Sequence, residues 1–312
     1  DMYVKCRSLH NACSVFSKMS DRDVVSWTAT ITGYAQQEQQ EHAFLLYIQM
    51  QQESILPNKI TFLALLSVIH SPVIMKRGRQ IHCQIEAAGM KHDLTMTNTL
   101  IHMYANCGKL NMAQDMFDET IKNNVITWNA MISGYAKYGR VEESWELFCQ
   151  MGVEGVFANE TTFASILDAL SSIASSGQGK QIHTVILSVE LQSSIFIGSA
   201  LINMYSKCGN LDHAHKVLDG ILVRDVGSWG ALITAYAQHG HGKKTLQLAA
   251  QMCAKGIQLN HITLISILSA CSHSGLLYEG WFLFDSMTRD HGVKPTVSSS
   301  DSYMRQIRQI LM

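Results

Sequence analysis

The chain has 312 residues, a net charge of −1 and a pI near 7.0, with 47% hydrophobic and only 16% charged residues. Without a basic excess it does not read as a binder that grips phosphate non-specifically, although recognition through neutral amides and hydroxyls stays open. No apolar run approaches the roughly 18 residues of a membrane span, and the eight cysteines include no C-x-x-C pair, so packed, reduced thiols are expected rather than a disulfide frame or zinc site.

The elements follow a repeat. Cys6, Cys107 and Cys208 are 101 residues apart, as are Trp27, Trp128 and Trp229, and Tyr34, Tyr135 and Tyr236. Such self-similarity marks one module copied in tandem. Residues 1–23 are the back of one unit. Val24–Asn58 and Lys59–Asp93 are units of 35 residues, and Leu94–Asn124 is a unit of 31. Val125–Asn159, Glu160–Ser194 and Ile195–Asp225 repeat that triplet. Val226–Asn260 and His261–Pro295 begin a third, and residues 296–312 fit no unit.

Each unit predicts two short helices. Trp128, Met131, Ile132 and Tyr135 hold the i, i+3, i+4, i+7 spacing, and Val141, Trp145 and Phe148 resume it after Tyr138-Gly139. Ser26, Thr127 and Ser228, each just before a tryptophan, are expected to be helix N-caps. Gly139 and Gly240 are placed to end the first helix in a left-handed conformation. No stretch alternates long enough for a strand. Neither helix of a unit can bury its stripe alone, so stacked helix pairs are expected: an all-α solenoid, coiled into a superhelix.

Motifs of catalysis or metal binding are absent. His239-Gly-His241 and Cys271-Ser-His273 each lack further ligands. His82 and His183 recur within Gln-Ile-His, which repeat packing explains. No P-loop, G-x-S-x-G or H-E-x-x-H occurs. Neither a cofactor nor a bound metal is expected.

MYANCGKLNMA, MYSKCGNLDHA, VITWNAMISGYAKYGRVEE, TFASILDAL and the pair GRQIH/GKQIH strongly resemble pentatricopeptide repeats of the plant PLS subclass. That resemblance makes Val24–Asn58, Val125–Asn159 and Val226–Asn260 standard (P) units. Lys59–Asp93, Glu160–Ser194 and His261–Pro295 become long (L) units. Leu94–Asn124, Ile195–Asp225 and the partial unit 1–23 become short (S) units. It implies a right-handed α-solenoid superhelix that binds single-stranded organellar RNA, one base per unit. It also implies residence in the mitochondrion or chloroplast, and a role in recognition for cytidine-to-uridine editing or processing rather than catalysis. A separate editing deaminase or accessory editing factors are the further partners it implies.

The same resemblance places the specifying residues at position 5 and at the last position of each unit. Those residues are Asp23, Thr28, Asn58, Asn98, Asn124, Asn129, Asn159, Ser199, Asp225 and Asn260. Val25, Ile60, Ile126, Thr161 and Ile262, at position 2, are expected to sandwich the bases. Thr28, Asn129 and Gly230 directly follow the core tryptophans, about 100° round the helix from them, which puts them off the apolar face. The rival readings are plain: the terminal asparagines could be turn residues, and the polar residue beside tryptophan a solvated helix start.

An amide at position 5 suits a pyrimidine edge, and a compact hydroxyl leaves room for a purine. A terminal Asp only accepts hydrogen bonds and favours U or G, whereas a terminal Asn fits A or C. Asp23 then selects U or G, Thr28/Asn58 selects A, and Asn98/Asn124 and Asn129/Asn159 select pyrimidines. Ser199/Asp225 selects G, and Gly230/Asn260 selects A or C at best. Leu63/Asp93, Ala164/Ser194 and Ile265 give no readable pairing. The expected footprint is [U/G]-A-N-Y-Y-N-G-[A/C]-N.

The chain departs from the family pattern at Arg7, at Ile121-Lys122-Asn123, and at Gly227 and Gly230. Editing members continue after GVKPT with a further unit and E- or DYW-type extensions. Here VSSSDSYMRQIRQILM follows, with neither the H-x-E nor the P-C-x-x-C of a zinc deaminase. A truncated or frameshifted form without its own catalysis is therefore expected. The chain starts in mid-repeat, so a targeting segment is not in view. The alternatives are a protein-binding scaffold of tetratricopeptide type and a non-functional fragment of a decayed gene.

Overall fold

The computed structural model describes residues 9–90, 93–120, 124–276 and 278–283. Cys6, Arg7, Ile121-Lys122-Asn123, Pro295 and the tail 296–312 lie outside the described residues. The chain forms two compact units, one through Phe157 and one from Ala158. Among the described residues there is no strand.

The first unit holds α1 (Leu9–Lys18), α2 (Val24–Gln36), α3 (Gln40–Gln52), α4 (Lys59–Ser67), α5 (Met75–Ala87), α6 (Leu94–Asn106), α7 (Leu110–Asp118), α8 (Val125–Lys137) and α9 (Val141–Val153). Helix α2 packs on α3 and α4, α4 on α6, α6 on α7 and α8, and α8 on α9. The second unit holds α10 (Glu160–Ser172), α11 (Ser176–Ser188), α12 (Ile195–Lys207), α13 (Leu211–Gly220), α14 (Val226–Gln238), α15 (Gly242–Ala254) and α16 (His261–His273). Helix α10 packs on α12, α12 on α13 and α14, and α14 on α15 and α16. In each unit, then, the first helix of one pair stacks on the first helix of the next, and the second helices flank that row. This is the solenoid arrangement.

The tryptophans anchor the row. Trp27 and Trp128 are 0% exposed and Trp229 is 2% exposed, and Ile31, Ile132 and Ile233 lie one turn on, each 0% exposed. Phe16 and Phe117 meet Trp27 and Trp128 edge to face, with ring centroids 4.7 Å apart. The three indole N–H groups make no hydrogen bond, so these side chains contribute through packing and, at Trp27 and Trp229, through cations lying over the ring.

Two expectations need correction. Ser26, Thr127 and Ser228 are not N-caps. Asp23, Asn124 and Asp225 cap α2, α8 and α14, and their side chains accept from the backbone N–H three residues on. The helices therefore begin earlier, because Asp and Asn are better caps than a hydroxyl that returns its own bond from the third position. In α9 the buried face is Val141, Ser144, Leu147 and Met151. Trp145 and Phe148 are only half-buried beside it, with ring centroids 6.0 Å apart. Ser144 Oγ donates to Ile132 O at 3.1 Å, and this small side chain lets α8 and α9 approach where the indole would not fit. Ala43 and Thr245, one triplet away on either side, are likewise 0% exposed, although the Thr245 hydroxyl donates to His241 O of its own helix start. Gly139 and Gly240 do adopt positive φ, at +72° and +76°. At the corresponding turn Glu38 takes φ 57°, an uncommon conformation for a residue with a side chain.

Cys107 is buried and Cys208 half-buried; burial pushes both thiols up, and no described cysteine is in a disulfide. His82 Nδ1 and His183 Nδ1 lie 2.8 Å from Tyr104 OH and Tyr205 OH, so the repeated histidines each clasp the next helix pair. Burial lowers the His183 imidazole and pushes Tyr104 up to about 12. Among the described residues no helix is long and apolar enough to cross a membrane, and no three His, Cys, Asp or Glu side chains gather as metal ligands would.

Candidate nucleic-acid interface

The terminal residue of nearly every unit is a helix cap. Asp23, Asn58, Asp93, Asn124, Asn159, Asp225 and Asn260 each accept from the backbone at the start of the following helix, whereas Ser194 makes no side-chain cap bond. The third helical residue is a serine or threonine at most of these starts. Thr61, Thr127, Thr162, Ser228 and Thr263 are each 0% exposed.

That buried hydroxyl links the terminal residue to position 5. Thr28 Oγ1 lies 2.7 Å from Thr61 Oγ1, which in turn donates to Asn58 Oδ1 at 3.0 Å. Thr127 Oγ1 donates to Asn98 Oδ1 at 2.6 Å and lies 3.1 Å from Asn124 Oδ1, while Asn98 Nδ2 donates to Asn124 Oδ1 at 3.4 Å. A side chain at Gly230 would begin 3.2 Å from Thr263 Oγ1, which donates to Asn260 Oδ1 at 2.8 Å. So Thr28 meets Asn58, and Asn98 meets Asn124, through the stacking of successive first helices.

Position 5 is less open than its place beside tryptophan suggests. Thr28 is 6% and Asn98 8% exposed; Asn129, Ser199 and Gly230 are half-buried. The physical reason is the stacking itself, since the next first helix lays its hydroxyl over this position. Asn58 and Asn124 are half-buried, while Asp23, Asn159, Asp225 and Asn260 are exposed.

At Asn58, Asn124, Asn260 and Asp225 capping consumes one atom of the side chain and leaves the other. Asn58, Asn124 and Asn260 accept through Oδ1, and their amide Nδ2 groups take no part in the caps. The amide orientation follows, because only oxygen can accept from a backbone N–H. Asp225 accepts from Ser228 N through Oδ1 at 2.8 Å, and its Oδ2 is left as an acceptor. The Ser26 backbone N–H holds the Asp23 carboxyl below its usual range.

The position-2 side chains stand away from the core. Val25, Ile60, Ile126 and Ile262 are 64%, 59%, 61% and 69% exposed, and Thr161 is exposed too. They do not pack into the helix entry. Phe196, at the same position of its unit, is 57% exposed and was reachable by the same count. In the second unit these elements converge on a cavity of about 330 Å³, lined by Gly230, Asn260, Ile262, Gly227 and Lys207 among others. Lys207, in the last turn of α12, places a cation at this wall; a search confined to positions 2, 5 and last does not find it.

Comparison with known proteins agrees with the repeat. The profile of the PPR repeat family matches residues 22–69 and 123–172, and that of the PPR repeat matches residues 95–125, 199–226, 227–257 and 262–291. A pentatricopeptide repeat-containing protein of Arabidopsis thaliana is 36% identical over 296 residues, covering 95% of this chain and 41% of the relative. A mitochondrial one of the same plant is 35% identical, covering 95% and 35%, and a chloroplastic one is 34% identical, covering 94% and 36%. The chain thus spans less than half the length of these relatives. The crystal structure of the pentatricopeptide repeat protein PPR10 from maize superposes with a TM-score of 0.66 at 16% identity, over 99% of this chain and 50% of that one. The structure of PPR10 in complex with an 18-nt psaJ RNA element superposes at 0.52, with 15% identity and the same coverage. The matched profiles cover most of the chain, helix pair by helix pair, and the chain belongs to the pentatricopeptide repeat family.

Proposed function

We propose that this chain binds single-stranded RNA and reads it one base per unit. The paired residues would be Thr28/Asn58, Asn98/Asn124, Asn129/Asn159, Ser199/Asp225 and Gly230/Asn260, with Asp23 reading alone. The carrying observation is the atom that each cap leaves over. Asn58, Asn124, Asn260 and Asp225 each spend one atom on the helix start, so an Asn offers a donor and an Asp an acceptor from one position. The exposed Val25, Ile60, Ile126, Thr161 and Ile262 flank these readers and supply apolar surface for stacking. The reported RNA complex of the related maize protein supports this reading.

The unit boundaries, from Val24–Asn58 to His261–Pro295, and the PLS assignment belong to the same proposal: first helices begin at residues 24, 59, 94, 125, 160, 195, 226 and 261. The mitochondrial and chloroplastic relatives favour an organelle. Recognition for an editing or processing machine is the role proposed for this repeat array, with a separate editing deaminase or accessory editing factors as its proposed partners.

Electrostatics supply a test. With a net charge of −1, few phosphates are neutralised, and binding should weaken only gently with salt. Affinity for a synthetic nine-nucleotide footprint RNA, measured by fluorescence anisotropy across a salt series, should show a slope equivalent to roughly 2–4 phosphates at about −0.7 each. Lys207→Ala should remove about one of them, reducing the slope by about 0.7. No binding to the footprint RNA, or equal binding to a scrambled RNA, would contradict the proposal.

A further inference from the structure

Asp93 differs from the other terminal residues. Its Oδ1 accepts from Met96 N at 3.0 Å and so caps α6, as its counterparts cap their helices. Its Oδ2, the counterpart of the atom that Asp225 leaves over, accepts from Lys59 Nζ at 2.6 Å. Both carboxylate oxygens are therefore engaged. The pair is half-buried, and the Lys59 ammonium, ahead of the Met96 backbone bond, holds the Asp93 carboxyl below its usual range.

Lys59 sits awkwardly for local stability. It is the first residue of α4, directly after the cap Asn58, where the positive end of the helix disfavours a cation. An ion pair this open to solvent returns little stability. Its clearest consequence is chemical: the side chain reaches along one whole unit, from its first residue to its last, and takes the atom that would meet a base. Position 1 of the other described units carries Val24, Leu94, Val125, Glu160, Ile195, Val226 or His261. None of these is a lysine or arginine that could do the same.

We infer that Lys59 is a specificity-determining residue that silences unit 59–93 by holding Asp93 Oδ2, so that the RNA base facing this unit is accepted without preference. Leu63 at position 5 offers no polar atom, so Asp93 is the only reader the unit has. This inference rests on the proposed one-base-per-unit readout. It adds that silence here is an active ion pair, not a missing reader.

The test uses the full chain and four synthetic RNAs that differ only at the third nucleotide of the footprint. The wild type should bind all four alike. Lys59→Met keeps the length of the side chain, removes the charge and frees Oδ2. It should then prefer U or G over A or C by about fivefold, near the lower end of what one base contact discriminates. Lys59→Arg, which retains the ion pair, should stay without preference. Adding Asp93→Asn to Lys59→Met should turn the preference toward A or C. A merely structural ion pair would change affinity for all four RNAs together and create no preference.

In parallel, the wild type and Lys59→Met are assayed for G over A at the nucleotide facing Ser199/Asp225. If that preference is present while Lys59→Met stays indifferent at the third nucleotide, the silencing inference is overturned and the readout stands. If it is absent in the wild type, the readout itself fails. Should Lys59→Met fold poorly by circular dichroism, Lys59→Gln replaces it, with the same outcomes for and against.

Discussion

Asp225→Asn should make the protein exchange one RNA base for another. Asp225 Oδ1 is committed to Ser228 N at 2.8 Å, and Ser228 Oγ bonds the Asp225 backbone at 3.1 Å in each direction, so the cap survives replacement by Asn. What changes is the second atom, from an acceptor oxygen to an amide N–H donor. G presents a ring N–H and an amino group to an acceptor, whereas A presents the N1 acceptor to a donor. A good pairing is worth about 1–3 kcal/mol of discrimination, so the wild type should favour G, and the variant A, each by roughly a decade or more. The comparison needs two RNAs differing at that nucleotide and two proteins. Preference at the bases facing Asn98/Asn124 should not move. If Asp225→Asn weakens both RNAs equally, Asp225 is only a cap.

Trp128→Ala should be the most damaging single change to the fold. The side chain is 0% exposed, packs edge-on against Phe117 at 4.7 Å, and has Ile132 one turn along. Truncating a buried aromatic of this size costs about 3–5 kcal/mol, which should be plain as a lower urea midpoint. Trp128→Phe should cost less than half as much, because the indole N–H makes no hydrogen bond to lose. Equal losses would mean that the indole nitrogen has a partner. In a stack where each pair contacts only its neighbours, damage at α8 should loosen α6 and α9 first.

The fold was legible because its signal is repeated. Trp27, Trp128 and Trp229 mark the same buried place three times, and spacing alone predicts helices from Trp128, Met131, Ile132 and Tyr135, all deeply buried. Helix starts were read less well. A hydroxyl beside tryptophan looks like a cap until Asp or Asn three residues earlier is considered, and a box of both types leaves either as a candidate. Ser144 was missed for a different reason: a helix crossing selects a small residue, which carries no apolar signal, while the neighbouring Trp145 does.

For the candidate site, the family resemblance led to the terminal residues and position 2, and the regular spacing then located them in each unit. The burial of Thr28 and Asn98 was not legible, because it comes from the helix stacked on top, not from their own. Nor was the Lys59–Asp93 pair, whose partners are separated by a whole unit and meet only once helices α4 and α6 are adjacent.

The most direct measurement is selection from a randomised single-stranded RNA pool by the purified chain, with the retained molecules sequenced. Unit-by-unit reading predicts enrichment of [U/G]-A-N-Y-Y-N-G-[A/C]-N, with the third nucleotide unselected and G dominant at the seventh. Retention of RNA with no positional preference, or an enriched motif without A at the second and G at the seventh nucleotide, would contradict it.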